Sequence, residues 1–113
     1  MRIENAKIER ADISMEDHGC LTYGLTLVGN GWGCVFGGIS IGYGYLNADK
    51  FTGSAAGLES LMHIMNTVGV SRWNDIKGKY VRAKFEGGSV RAIGNIIEDK
   101  WFDQGEFFAD KEI

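Results

Sequence analysis

The chain has 113 residues, of which 44% are hydrophobic and 24% charged, and its formal net charge is −3. This length allows one hydrophobic core, so we predict a single globular domain over residues 1–113. No apolar run approaches the roughly 20 residues of a membrane helix, no signal peptide is recognisable, and the two cysteines form no CxxC pair, so we expect a cytoplasmic protein with reduced, buried thiols.

Residues 2–13 carry apolar side chains at loose intervals, which predicts a first strand. The charged segment Glu16-Asp17-His18-Gly19 then forms a tight connection to the next strand. Two interpretations of this segment stay open. It is either a charged turn in which Asp17 orders its own backbone, or a ligand-orienting pair that His18 forms with the adjacent carboxylates.

Residues 21–28 alternate between apolar and small or polar side chains, and the alternation resumes at Trp32. Between them, Gly29-Asn30 is typical of a two-residue turn, so the two segments predict a β-hairpin. In the resulting register Leu27 lies opposite Trp32, and the two cysteines are not cross-strand partners.

Residues 37–53 are rich in glycine and tyrosine, which predicts the end of that strand and an ordered connection. A helix is predicted from Ser54 to Val68, because Ser54 is a typical N-cap and Gly69 a typical C-terminal glycine. Its apolar residues recur at helical spacing and predict the buried face: Ala55, Leu58, Leu61, Met62, Met65 and Val68.

A short second helix is predicted between Ser71 and Gly78. Two further strands, Lys79–Glu86 and Ser89–Glu98, form a second hairpin about Gly87-Gly88. Its register predicts three pairs on the face away from the core: Tyr80 with Asn95, Arg82 with Ile93, and Lys84 with Arg91.

Asp103 and Glu106 have the spacing of a capping box, which predicts a short C-terminal helix. The fold class that follows is α+β. Antiparallel hairpins form a sheet or a small sandwich or barrel, accompanied by one main helix at about 54–68, a short second helix and a short C-terminal helix.

The chain contains no HExxH or phosphate-loop motif. We therefore expect a protein that is not an enzyme and uses no cofactor. No pair among His18, Cys20, Cys34 and His63 has the spacing of a zinc motif, so no metal site is predicted, and a zinc site from these four side chains stays the alternative.

Positive charge is concentrated in residues 70–91, which hold six basic and two acidic side chains. A local basic face attracts a compact anion, whereas affinity for long nucleic acid depends on many phosphate contacts. We therefore expect a small nucleotide ligand, no long nucleic acid and no membrane. A solvated strand face whose basic side chains prevent edge aggregation explains the same pattern equally well.

Each candidate ligand-binding residue has a chemical reason. Arginine and lysine bind phosphate oxygens, asparagine hydrogen-bonds to a base or ribose, and an aromatic ring stacks on a base. The candidates are Arg82, Arg91, Asn95, Tyr80, Lys84, Trp73, Trp101 and His18.

Large aromatic side chains are numerous for so small a domain: Trp73, Trp101, Phe102, Phe107 and Phe108. Because aromatic residues are enriched in the cores of interfaces, we expect a homo-oligomer of two or more subunits.

Several segments together resemble a family of small phage and prophage proteins: Glu16-Asp17-His18-Gly19, Cys34-Val-Phe36-Gly37-Gly38, Gly78-Lys79-Tyr80-Val81-Arg82, Arg91-Ala92-Ile93-Gly94 and Asp99-Lys100-Trp101-Phe102. The resemblance covers most of the chain. These proteins look similar to the phage Thoeris anti-defence proteins that act as sponges for cyclic ADP-ribose signals. The resemblance implies an oligomeric, non-catalytic protein of the bacterial cytoplasm that captures the signal intact, holding adenine by stacking and phosphates by arginine.

A second class of function stays open, an inhibitor of a host defence protein that acts through an acidic surface, as an anti-CRISPR protein does. The position of the charge distinguishes the two classes. Phosphate capture needs the basic residues of segment 70–91, whereas nucleic-acid mimicry needs an ordered array of carboxylates, for which only the tail from Glu98 to Glu112 qualifies.

Overall fold

Two antiparallel hairpins and the helix that connects them make up most of the chain. The computed structural model describes residues 2–111, apart from the side chain of Asp17. Its strands and helices, in chain order, are β1 Ile3–Asp17, β2 Cys20–Gly29, β3 Trp32–Tyr43, β4 Thr52–Gly53, α1 Ala55–Val68, β5 Tyr80–Glu86, β6 Ser89–Asn95, β7 Trp101–Asp103 and α2 Gln104–Phe108. The predicted α+β class is therefore confirmed.

All seven strands belong to one antiparallel sheet with the order β4-β3-β2-β1-β5-β6-β7. The sheet is strongly curled. In a flat sheet Trp32 on β3 and Phe85 on β5 would lie about 14 Å apart, yet their ring centroids are 4.8 Å apart. Phe36 on β3 and Phe102 on β7 also touch, at 6.3 Å. The concave face thus encloses the core, while β4 and β7 remain as edges, so the sheet does not close into a barrel.

The hairpin of β2 and β3 has the predicted faces but a different turn. Leu27 pairs with Cys34, and Trp32 pairs with Gly29, so the loop is Asn30-Gly31 rather than Gly29-Asn30. Gly31 adopts φ +81°, which favours glycine at that position. Because the register differs by two residues, every side chain stays on its predicted face.

The predicted boundaries of the first and third strands were wrong. The first strand extends from Ile3 to Asp17 instead of ending at residue 13. The third continues to Tyr43 instead of ending at Gly37. Gly37 and Gly38 adopt φ of +116° and +77° and form a local irregularity, and the pairing between β2 and β3 continues beyond it. Both cysteines are free, as expected, but partly rather than fully buried.

The hairpin of β5 and β6 contains a bulge that the sequence register lacks. Phe85 pairs with Val90 as predicted, but Lys84 pairs with Ala92, which leaves Arg91 as the extra residue. The strand register is shifted by one residue beyond that point, so Arg82 pairs with Gly94. Asn95, predicted beside Arg82 on the outer face, consequently lies on the core face.

Helix α1 begins and ends as predicted. Ser54 accepts a hydrogen bond from the backbone N–H of Gly57, and Gly69 adopts φ +93°. Its predicted buried face was only partly right: Leu61 and Val68 pack against the core, but the fully buried residues are Gly57, Ser60, Ile64 and Thr67. The reason is close approach to the sheet: a Cβ at Gly57 would lie 2.7 Å from the carbonyl oxygen of Ser40. Leu58 and Met62 therefore face solvent.

The second predicted helix is a single 3-10 turn, Trp73–Asp75. The C-terminal helix is confirmed, since the Asp103 carboxylate accepts a hydrogen bond of 2.9 Å from the backbone N–H of Glu106. In the part of the chain that the structure describes, no helix has both the length and the apolarity needed to cross a membrane.

Candidate functional site

Four residues of β5 and β7 form a basic–aromatic surface on the convex face of the sheet: Tyr80, Arg82, Lys84 and Trp101. Side chains alternate along β5, so burial of Val81 and Ala83 in the core directs the even-numbered residues outward. In the same way, burial of Phe102 directs Trp101 outward. Position alone therefore brings two aromatic and two cationic side chains together.

The indole of Trp101 organises this surface. It lies against Gly94 of β6, where a Cβ would come within 2.7 Å of the ring. The guanidinium carbon of Arg82 and the ammonium nitrogen of Lys84 each lie 4.5 Å from the centroid of the Trp101 ring. Cation–π attraction holds both charges next to one aromatic ring.

Arg82 is fixed in place by two backbone carbonyl groups. Its Nε donates to the oxygen of Asn95 at 2.8 Å, and its Nη2 donates to the oxygen of Glu98 at 2.9 Å. A guanidinium has five N–H donors, so three remain for another acceptor. Lys84 has no hydrogen-bonded oxygen partner within residues 2–111, although its charge does act on Asp103.

A cleft of about 580 Å³ adjoins the basic–aromatic surface at the edge strand β7. Lys84 and Trp101 line one side of it, and His63, Phe102 and Phe107 line the other. The His63 ring stacks on Phe102 with the planes 8° apart. The volume is within the range of small-ligand sites, roughly 300–1,000 Å³.

The sequence register did not identify His63 or Phe107 as cleft residues. The capping box did indicate that Phe107 would turn back onto the body of the domain, which is the one signal that pointed towards this cleft.

Arg91 occupies a different environment from the one predicted. The bulge removes it from the position opposite Lys84, and it forms ion pairs with Glu86 and with Asp103, the latter at 3.0 Å. Side-chain hydrogen bonds to Glu86 and Asp103 raise the pKa of Arg91 above its usual range. Two carboxylates thus occupy the guanidinium that was predicted to bind phosphate.

The pKa of Asp103 results from opposing effects. Partial burial acts to raise it, but the hydrogen bonds from Glu106 and Arg91, together with the charges of Arg91 and Lys84, outweigh burial and lower the pKa below the ordinary value.

Asn95 serves the fold at its new position. Its side-chain amide donates to the carbonyl oxygen of Thr67 at 2.8 Å, and its Oδ1 accepts from the backbone N–H groups of Ile97 and Glu98. It ties the end of α1 to the connection between β6 and β7, on the opposite face of the sheet from Lys84.

The structure also separates the other candidates. Trp73 packs against the core from the 3-10 turn, remote from the convex face. His18 lies in the turn between β1 and β2, where it adopts φ +52°. Tyr80 lies on the convex face, pairs with Lys7 and is more than half exposed. The prediction that Asp17 orders the turn between β1 and β2 concerns a side chain that lies outside the described part of the structure.

The acidic tail carries its own compensating cations. Asp103 pairs with Arg91, Glu98 with Lys100 and Asp110 with Lys111, while Asp99 accepts from the indole N–H of Trp101. These contacts do not favour the inhibitor alternative, which stays a prediction. Glu112 lies outside the described residues.

Within the described part of the chain, no three His, Cys, Asp or Glu side chains are grouped so that they could hold a metal ion. Comparisons with known proteins add no relative: no protein-family model matches the chain, and no curated protein or solved structure matches it significantly. The resemblance to phage anti-defence proteins therefore stays a prediction.

Proposed function

We propose that the protein is a non-enzymatic binding protein that captures a small nucleotide at the basic–aromatic surface and the adjoining cleft, without cleaving it. One observation carries this proposal. Arg82 and Lys84 lie at the same distance, 4.5 Å, from a single indole on the convex face of the sheet.

The spacing of the two cations suits one phosphate group. Because both lie 4.5 Å from the Trp101 centroid, they are no more than about 9 Å apart. A phosphate that accepts a charge-assisted hydrogen bond of about 2.8 Å at each of two oxygens spans roughly 8 Å. Since two carbonyl groups already orient Arg82, little side-chain entropy is lost when phosphate binds.

The adjoining cleft provides the apolar contact that a base needs. Phe107 lines it, and base–aromatic stacking contributes about 1–3 kcal/mol per base. A ligand with one phosphate-bearing end and one flat ring therefore matches the charge and the shape of the surface. Adenine nucleotides and the cyclic ADP-ribose type of immune signal belong to this chemical class.

The test is a thermal-shift series with AMP, ADP and cyclic ADP-ribose, with adenosine and inorganic phosphate as partial ligands. Ligand at a hundred times its Kd adds about 2.7 kcal/mol to the free energy of unfolding, which is several degrees in Tm for a chain of this size. The partial ligands should give smaller shifts. If no nucleotide changes Tm at millimolar concentration, the proposal is wrong.

Two lysine variants test the position of the site. Lys84→Ala should weaken nucleotide binding at least tenfold and leave Tm without ligand nearly unchanged, since Lys84 forms no ion pair in the described structure. Lys77→Ala removes the same charge from an exposed position between the 3-10 turn and β5, so it should bind normally. Loss of binding in the second variant alone would place the site elsewhere.

A further inference from the structure

Six exposed side chains, none of them in the basic–aromatic surface, form a second surface: Tyr43, Tyr45, Leu46, Phe51, Leu58 and Met62. Each is between about half and four-fifths exposed. We call this the apolar surface. It includes none of the aromatic residues that first suggested an oligomer, since Phe102 is buried while Trp73 and Phe107 pack against the core.

The apolar surface is continuous from the β3–β4 connection onto α1. One cleft is lined by Phe51 and Tyr43, and the next by Tyr43 and Glu59. A third is lined by Glu59 and Met62. The three clefts therefore follow one another from the end of β3 to the solvent-facing side of α1.

The β3–β4 connection holds its apolar side chains outward through its own backbone. Gly44 donates a hydrogen bond of 2.7 Å to the carbonyl oxygen of Gly19, and the Phe51 ring lies directly against Gly44, where a Cβ would be 2.3 Å from it. Tyr45 packs against Gly19 in turn. These contacts fix the connection while Leu46 remains 78% exposed.

Two quantities indicate what covers this surface. With about 200 Å² for a large side chain, the six residues expose on the order of 700 Å², and a standard interface buries about 800 Å² on each partner. Charge is the second quantity. Residues 31–48 contain no charged side chain, the next two are Asp49 and Lys50, of opposite sign, and on α1 the Glu59 carboxylate between the clefts lies 3.3 Å from His63.

Contacts across a twofold axis are reciprocal. If one residue of the first copy contacts a second residue of the other copy, the same two residues also meet with the copies exchanged. Asp49 and Lys50 can then pair reciprocally across such an axis, and neither forms an ion pair within residues 2–111. We propose that the apolar surface is a twofold-symmetric interface with a second copy of this chain, centred on the β3–β4 connection and α1.

The experiment measures mass in solution by light scattering or sedimentation, over protein concentrations from low micromolar to submillimolar. The 113-residue chain should have a mass in solution that is twice its own 12.4 kDa. Leu46→Asp should raise the dimer Kd at least tenfold, because the interface contains two copies of the substitution. Ile97→Asp is the matched control, since Ile97 is 88% exposed on the connection between β6 and β7, outside the apolar surface.

Each outcome decides the question. A protein that is monomeric at the highest concentration, or a dimer that survives Leu46→Asp, overturns the proposal. A dimer that Leu46→Asp dissociates and Ile97→Asp leaves intact supports it. Both variants should keep the circular dichroism and Tm of the parent, so dissociation cannot be attributed to unfolding.

A charge swap tests the reciprocal pair separately. Asp49→Lys should weaken the dimer, and the double variant Asp49→Lys/Lys50→Asp should restore it, because the swap exchanges the two charges without changing their complementarity. If the double variant dimerises as weakly as the single one, Asp49 and Lys50 do not pair across the interface.

Discussion

The buried hydrogen bond between Tyr23 and Ser60 is the most direct test of how α1 is seated on the sheet. The two oxygens are 2.8 Å apart, and neither residue exceeds 1% exposure. Ser60 also donates to the carbonyl oxygen of Gly57, at 2.6 Å. Removing either partner therefore perturbs a polar contact between sheet and helix that has no access to water.

The two single variants should differ in their cost. Ser60→Ala leaves the Tyr23 hydroxyl buried and unpaired, which costs about 1–3 kcal/mol, partly offset by about 0.5 kcal/mol from the higher helix propensity of alanine. Tyr23→Phe leaves Ser60 bonded to Gly57, so its cost is about 1 kcal/mol. The double variant removes both hydroxyl groups and should lose less than the sum of the two.

Urea unfolding followed by tryptophan fluorescence measures all three free energies, with a constant m-value as the condition for comparing them. Tyr43→Phe, at a half-exposed tyrosine, is the matched control and should change stability by less than about 0.5 kcal/mol. If the losses of the single variants add in the double one, or Ser60→Ala is as stable as the parent, the contact does not hold the helix as described.

The same contact predicts an alkaline effect. Burial raises the pKa of Tyr23 from its ordinary value of 10.0, although the hydrogen bond with Ser60 acts to lower it. The Tyr23 hydroxyl therefore stays protonated in the folded protein at pH values where it is deprotonated in the unfolded chain. Stability from this group is complete below about pH 10 and falls as pH rises towards the folded pKa, by at most about 1.4 kcal/mol per pH unit. Tyr23→Phe should remove this part of the slope.

Three further substitutions test the packing and the polar contacts. Gly57→Ala should cost a net of about 1–2 kcal/mol in urea unfolding, because a Cβ 2.7 Å from the rigid backbone of β3 places the clash in the upper part of the usual range, at about 2–3 kcal/mol, against a gain of about 1 kcal/mol in helix propensity; equal or higher stability would disprove the close seating. Asp103→Asn keeps the helix cap but loses the charge. Because the pKa of Asp103 is lowered in the folded protein, the variant's loss of stability should be complete above the ordinary pKa of aspartate and should vanish as pH falls through the pKa of the folded protein. Asp110→Asn should lack this pH dependence. Gly94→Ala should displace the Trp101 ring and shift its indole N–H resonance in a proton–nitrogen correlation NMR spectrum. An unchanged resonance would show that the indole does not lie on Gly94.

The faces of the strands could be predicted because strand alternation has a period of two residues. The misplaced turn at Asn30-Gly31 changed the register by two and left the core side chains of β2 and β3 where they were expected. The bulge at Arg91 changed the register by one, which moved Asn95 to the other face. Nothing in the local sequence distinguishes these two cases, since the bulged residue is an arginine without the glycine that often marks such a site.

The helix face was mispredicted for a different reason. Apolar residues and small residues both recur at helical spacing in α1, and the prediction followed the apolar set. The close approach of helix and sheet at Gly57 leaves no room for a larger side chain there, so Gly57, Ser60 and Thr67 are buried with Ile64, while Leu61 and Val68 are only partly buried against the core. A stripe of small residues was visible in the sequence, but only the distance between helix and sheet, which is a tertiary property, decides which stripe packs.

Long-range pairing also explains why two of the predicted ligand residues, Arg91 and Asn95, serve the fold. Arg91 was assigned to phosphate from its charge alone, and its carboxylate partner Asp103 lies on β7, a strand that the sequence pattern did not reveal. Arg82 and Lys84 were correctly predicted to share a face because both lie on one strand with a regular period. Charge in a sequence locates candidate sites, whereas the availability of that charge depends on which acids the topology brings near.

The two proposed surfaces are separable because they lie on different sides of the sheet. The helix that carries Met62 packs on the concave side, while Arg82 and Lys84 project from the convex side. A twofold contact through the apolar surface therefore leaves Arg82 and Lys84 uncovered in both subunits, so a dimer should bind two ligands, although the groove beside Met62 and the ligand cleft meet at His63. Leu46→Asp should dissociate the dimer and retain nucleotide binding, while Lys84→Ala should lose nucleotide binding and retain the dimer. Loss of both properties in either variant would show that the surfaces are coupled through the fold.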